Sequence, residues 1–176
     1  MRKLTMPELG RYSKADYITA EKKNIVLVLD GIRSGLNVGS IFRIADAFAL
    51  ERVILCGITP QPPHREILKT ALGAADSVAW NYEADPVHVV RELREQGYDI
   101  WPVEQTDRSR HLDAFRWAGR PIAFIFGNEV NGVSDEVLSE LDESIEIPQF
   151  GTKHSLNVAV SVGIVAWHVL HQAPST

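Results

Sequence analysis

Apolar residues along this chain follow two alternating rhythms. Short unbroken runs, "NIVLVLD" (24–30), "RVILCGI" (52–58) and "RPIAFIFGNE" (120–129), leave no polar face, as in strands covered on both sides. Between them, apolar residues recur at helical spacing. "VGSIFRIADAF" (38–48) sets Ile41, Ile44, Ala45 and Phe48 on one side, and "HREILKTAL" (64–72) is a short helix closed by Gly73. "DPVHVVRELREQG" (85–97) has Asp85 as a cap, Pro86 in its first turn and Gly97 at its stop. "DSVAWNY" (76–82), "YDIWPVEQ" (98–105) and "SIEIPQ" (144–149) read as further strands, with Pro102 marking an edge or an end. "SDEVLSEL" (134–141) is a short helix capped by Ser134, and 154–171 is the last helix. Strand–helix alternation with continuous apolar strands predicts an α/β domain, a parallel sheet with helices on both faces.

No repeat or long linker divides the 176 residues, so 24–176 reads as one domain behind a leader, 1–23. That leader carries Arg2, Lys3, Arg11, Lys14, Lys22 and Lys23 against Glu8, Asp16 and Glu21. A 45% hydrophobic and 23% charged composition is that of an ordinary globular protein. The net charge of −5 excludes binding to nucleic acid by bulk charge, so any RNA-facing surface must be local. One cysteine, Cys56 in "RVILCG", excludes an intrachain disulfide and fits a buried thiol in a reducing compartment. The start "MRKLTMPELGRYS" has no apolar stretch of a signal peptide. The apolar stretch 155–170 carries Asn157 and His168 and falls short of the roughly 20 residues a membrane span needs, so a cytoplasmic protein is expected.

Open α/β sheets bind ligands beyond the carboxyl ends of their strands. Three polar, glycine-bearing stretches follow strands here. "SGLNVGSIFR" brings Asn37, Gly39 and Arg43, but is neither a dinucleotide fingerprint nor a Walker loop. With a helix starting near Val38, Arg43 could simply be an arginine at a helix edge with its stem on apolar surface. "IFGNEVNGVSDEVL" brings Gly127, Asn128, Glu129, Asn131 and Gly132, either as a turn-rich polar loop or with Glu129 at the sheet rim, placed to orient an arginine. "IPQFGTKHSLN" brings Lys153, His154, Ser155 and Asn157, of which Ser155 or Asn157 could cap the last helix and His154 could be a solvated loop histidine. No spacing of Cys, His, Asp or Glu suggests a metal site, and no serine–histidine elbow is visible.

Taken in order, Asn-x-Gly-x-x-x-Arg, the G-N-E-x-x-G loop and I-P-x-x-G-x-x-x-S-L-N-V resemble the three motifs of the SPOUT methyltransferases, over about residues 24–171. The closest likeness is to the TrmH (SpoU) branch, the RNA ribose 2′-O-methyltransferases. The resemblance implies a C-terminal deep trefoil knot, which is rare enough that periodicity alone would never suggest it. It also implies S-adenosyl-L-methionine as cofactor, and a homodimer formed through the last helix. There Ala159, Ser161, Gly163 and Ala166 would allow close approach, while Val158, Val162, Val165, Trp167 and Val169 supply apolar area.

By the same resemblance Asn37, Arg43, Glu129, Ser155 and Asn157 form the catalytic centre. Arg43 would hold a phosphate, with Glu129 and Asn37 orienting it. Glu104, Gln105, Gly127, Asn128, Gly132, Ile147, Pro148, Gln149, Ser155 and Leu156 would frame the cofactor. Arg11, His64, Arg65, Lys69 and Lys153 are the RNA-facing candidates, with tRNA placed ahead of ribosomal RNA as the partner. The sequence departs from the family at Ile44, Gln149 and Ala159, where Thr or Ser, Met, and Ser are frequent; no charged group is lost. A base-nitrogen methyltransferase, an RNA-binding protein of this fold without catalysis, and a nucleotide-dependent oxidoreductase are the competing readings. The Asn37/Arg43 motif disfavours the first, retention of every polar motif position the second, and the missing glycine fingerprint the third.

Overall fold

The structure is a computed structural model describing residues 1–5 and 7–172; Met6 of the leader and the last four residues of the predicted unit 24–176 lie outside the described residues. Five parallel strands form the central sheet: β1 (Lys23–Asp30), β2 (Leu50–Cys56), β3 (Ala79–Glu83), β4 (Asp99–Pro102) and β6 (Ile122–Phe126), in the order β3-β2-β1-β6-β4. A separate parallel pair joins β5 (Ser109–His111) to β7 (Ser144–Glu146). The helices are α1 (Lys14–Thr19), α2 (Gly35–Ala47), α3 (Arg65–Ala71), α4 (Pro86–Glu95), α5 (Asp135–Leu138) and α6 (Val158–Leu170).

The unbroken apolar runs have a direct cause. Alternate residues of each central strand enter different cores. Ile25, Leu27, Leu29, Val53, Leu55, Phe124 and Phe126 pack with Val38, Ile41 and Phe42 of α2 and Val162, Val165 and Val169 of α6. Val26, Val28, Ile54, Cys56, Ala123 and Ile125 pack with Val89, Val90 and Leu93 of α4 and Val137 of α5. Each fully buried large side chain contributes about 1.5–3 kcal/mol, so the sheet centre carries most of the stability. Burial pushes the Cys56 thiol up to about 12, with Asp30, Glu83 and Asp85 adding to the shift.

Three expectations shift. The helix predicted from 38 begins at Gly35, because Ser34 caps it by accepting a hydrogen bond from the Asn37 amide at 3.3 Å. The last strand pairs with β5 rather than joining the main sheet. Within the leader, α1 buries Tyr17, whose hydroxyl donates to the Ala45 carbonyl at 3.3 Å. Two helix junctions also matter for position. A Cβ at Gly39 would collide with Ile67 and Thr70 of α3, so α2 and α3 touch backbone to backbone there. At Gly35 a Cβ would stand 2.9 Å from the His64 ring, which brings the start of α3 against the start of α2.

Candidate active-site cleft

Strand order reverses between β1 and β6. Chain running one way from β1 builds β2 and β3; β6 and β4 lie on the other side. Ligands bind at such a reversal, beyond the carboxyl ends. Register sets Leu29 beside Phe126, so the loops after β1 and β6 leave the sheet side by side.

A cleft of about 550 Å³ opens there. Its lining comes from Val103–Gln105 after β4, Phe126–Gly132 after β6, Ile145–Ile147 and Gln149 around the end of β7, and His154–Val158 with Ser161 leading into α6. Of the residues expected to frame a cofactor, Glu104, Gln105, Gly127, Asn128, Gly132, Ile147, Gln149, Ser155 and Leu156 line it. Pro148 does not; it faces an apolar groove beside α6 with Val160, Ile164 and Trp167. Among the described residues the lining holds Glu104, Glu129 and Glu146 but no lysine or arginine.

The wall after β6 is tightly bound. Asn128 and Gly132 exchange backbone hydrogen bonds at 2.8 Å each. The Asn128 side chain donates to the Gly31 carbonyl at 2.7 Å and accepts from Val130 at 2.8 Å and Asn131 at 3.4 Å. Glu104 accepts from the Val133 amide at 3.1 Å, and Asp30 from the Ser134 amide at 2.8 Å. Gly132 sits at φ 72°, and a Cβ at Gly127 would fall inside the backbone of Gly132 and Val133. Glycine is required at both.

Glu129 projects from this wall toward the first turn of α2. Its carboxylate accepts from the amides of Arg33 at 3.1 Å and Ser34 at 3.3 Å, and from Asn37 Nδ2 at 2.9 Å. Asn37 Oδ1 accepts in turn from Asn157 Nδ2 at 3.0 Å. Asn157 caps α6, its Oδ1 accepting from Ala159 at 3.0 Å and Val160 at 3.3 Å. One chain of hydrogen bonds thus joins all three motifs. Burial pushes the Glu129 carboxyl up, but the bonds from Asn37, Arg33, its own amide and Ser34 outweigh it and hold it below the ordinary value.

The expected pairing of Glu129 with Arg43 is not formed. Glu129 is saturated by neutral donors, and Arg43 lies a turn and a half along α2 from Asn37, exposed, without a hydrogen bond or ion pair among the described residues. Sequence reasoning missed this because two of the three donors from the first motif are main-chain amides, which carry no residue signature. Ser155 lines the cleft without capping α6; Asn157 caps it. Lys153 is exposed in the loop before α6, and Arg65 and Lys69 are exposed on α3. His64 caps α3, accepting from the Glu66 amide at 3.3 Å. Arg11 is exposed ahead of α1 and is not among the residues lining the cleft. No group of three or more His, Cys, Asp or Glu that could hold a metal occurs among the described residues, and none of their helices is long and apolar enough to cross a membrane.

This sheet order and cleft define a class already seen in crystals. A methyltransferase from Sinorhizobium meliloti, described as an AdoMet-bound rRNA methyltransferase, superposes with a TM-score of 0.80 at 26% identity, covering 94% of this chain and 62% of that one. A TrmH/SpoU tRNA modifying enzyme from A. aeolicus shares the fold at TM-score 0.80 and 23% identity, over 90% of this chain and 80% of that one. The chain belongs to the SpoU rRNA Methylase family, whose model matches residues 24–167. The 23S rRNA (guanosine-2′-O-)-methyltransferase RlmB of Neisseria meningitidis is 34% identical over 143 residues, 80% of this chain and 56% of its own length. The chain therefore spans little more than half of that relative.

Proposed function

We propose that this protein transfers a methyl group from S-adenosyl-L-methionine to a ribose 2′-hydroxyl of RNA. The observation that carries the reading is the hydrogen-bonded chain Glu129–Asn37–Asn157, which gathers three distant motifs at the mouth of one cleft. The lining suits the cofactor. Val103, Ile147 and Leu156 offer apolar surface for an adenine, and three carboxylates without a lysine or arginine favour a cation. When bound, the cofactor supplies an electrophilic methyl on a sulfonium.

The residues divide the remaining work. Ser155 and Asn157 face the acceptor ribose. Glu129 holds the loop after β1 in place; its carboxylate is taken up by the amides of Arg33 and Ser34 and by Asn37, so the hydroxyl proton is assigned to an RNA phosphate oxygen or to water. Arg43 serves as a fixed cation rather than a base. It adjoins Ile44, which approaches Gly163 of α6, so a second copy docked on α6 would find Arg43 at its border.

The homodimer is part of the same proposal. Val162 and Val165, expected at the interface, are fully buried within the subunit's own core. The outward stripe is Val160, Ile164 and Trp167, with Trp167 56% exposed along the mostly apolar groove that includes Pro148. We also propose the trefoil knot. In support, β7 reaches β5 and the Val103 bridge before the chain returns to α2 through Asn157.

The test is methyl transfer from labelled S-adenosylmethionine to ribosomal RNA and to tRNA, with product nucleosides resolved. Label in a 2′-O-methyl nucleoside of either RNA is expected. Cofactor and RNA binding without transfer would instead establish an RNA-binding protein of this fold, and label on a base nitrogen would overturn the ribose assignment.

A further inference from the structure

We infer that Arg33 is a phosphate-binding residue that sets the RNA on the rim of the cleft, a role that rests on the methyltransferase reading above. The cleft lining carries three carboxylates and no lysine or arginine among the described residues, which suits a cationic cofactor and repels a polyanion. A ribose can enter only if cations at the mouth offset that repulsion.

Arg33 sits at that mouth on an unusually fixed piece of backbone. Before it, Ile32 is fully buried and its amide donates to Thr59 Oγ1 at 3.0 Å, while Thr59 Oγ1 donates to the Leu29 carbonyl at 3.1 Å. After it, Ser34 caps α2. Its own amide is held by Glu129 at 3.1 Å, the residue that ties the first motif to the cleft wall. Arg33's own polar tie is thus made by its main chain. The side chain is exposed and makes no hydrogen bond or ion pair among the described residues. A long cation standing on a rigid loop, with nothing in its own molecule to bind, is arranged for an external anion. Glu66 approaches Gly35, two residues after Arg33. Because its amide is bound by the cleft-lining Glu129, Arg33 meets a phosphate beside the reacting nucleotide.

The experiment measures binding of ribosomal RNA and of bulk tRNA across a salt series for wild type, Arg33→Ala and Arg33→Lys, with S-adenosylmethionine affinity and thermal melting alongside. One lost phosphate contact should weaken RNA binding roughly three- to tenfold at moderate salt and lower the slope of log affinity against log salt by about 0.7 to 0.9. Arg33→Lys should restore the slope. Cofactor affinity and melting should not move. An Arg33→Ala variant with wild-type RNA affinity and slope overturns the assignment while leaving the methyltransferase reading intact. Wild-type protein that takes up neither RNA overturns both. Loss of cofactor binding in Arg33→Ala would show a structural role and also overturn it.

Discussion

The two long walls of the cleft are built in opposite ways. The wall after β6, 127–133, is tied by reciprocal backbone bonds, by Asn128 and by Glu104, and its two glycines leave no space for a methyl group. The wall before α6 is untied: residues 148–156 make no hydrogen bond among the described residues, and Phe150 is 98% exposed. Only at Asn157 is the chain anchored again. Backbone polar groups left to water have small opening free energies. One wall is therefore preformed, and the other is to be completed by what binds, so cofactor affinity includes the cost of ordering it.

The largest effect that would sharpen this contrast is expected at Gly127. Gly127→Ala has nowhere to place its Cβ except in the backbone of Gly132 and Val133, so the preformed wall must shift. We expect a loss of about 1–3 kcal/mol in stability and abolished cofactor binding, read by thermal melting and calorimetry. An unperturbed melt would break the claim that this wall is rigid.

Next comes the anchor. Asn157→Ala removes both the α6 cap and the bond to Asn37, costing about 1 kcal/mol, whereas Asn157→Ser keeps a capping oxygen and loses only the bond to Asn37. Methyl transfer should fall by about a hundredfold in both, with stability restored in the serine variant, because the loss is one of positioning. Equal activity in Asn157→Ser and wild type would dismiss the link between motifs.

A third measurement tests the untied wall directly. Amide exchange at 148–156 should slow by at least tenfold when S-adenosylmethionine is added, while 127–133 changes little. Equal protection of both walls would erase the difference between them.

The smallest effect is a pH dependence at Glu129. Its folded pKa is lowered, so its contribution is present above the unfolded value and fades as pH falls through the folded one. Cofactor affinity should hold through mildly acidic pH and weaken only below the ordinary carboxylate range, and Glu129→Gln should flatten that acid limb. An acid limb unchanged in Glu129→Gln would assign it to another group.

The sheet was legible in the sequence where physics leaves a pattern. Strands flanked by helices on both faces need apolar residues at successive positions, and the middles of 24–30, 52–58 and 120–129 show it. What escaped was structure without a pattern. β5 is "SRH", a polar stretch held by backbone pairing with β7, and nothing in its side chains announces a strand. α1 hides in a charged leader because one residue, Tyr17, does its packing. Nine of the ten residues expected to frame a cofactor line the cleft, Pro148 being the exception, whereas Val103, Ile145, Glu146 and Ser161 line it without a signal in the motifs. The partners of Glu129 were not, since amides 33 and 34 look the same in any sequence. Nor could the sequence say which side of α6 faces inward, because a helix apolar nearly all round has no phase.

The place of β6 has a consequence for a chain emerging from a ribosome. β1 waits with one edge bare while nearly a hundred residues are made, because its second neighbour is Ile122–Phe126. At about 5–20 residues per second, that edge of Ile25, Leu27 and Leu29 stands open for several seconds. Until β6 slots into the middle, the half-built sheet offers an apolar seam to any extended strand nearby, including its own twin on the same message. Overproduction at low temperature, or with a strand-shielding chaperone, should therefore raise the yield of folded protein more than any change at the cleft.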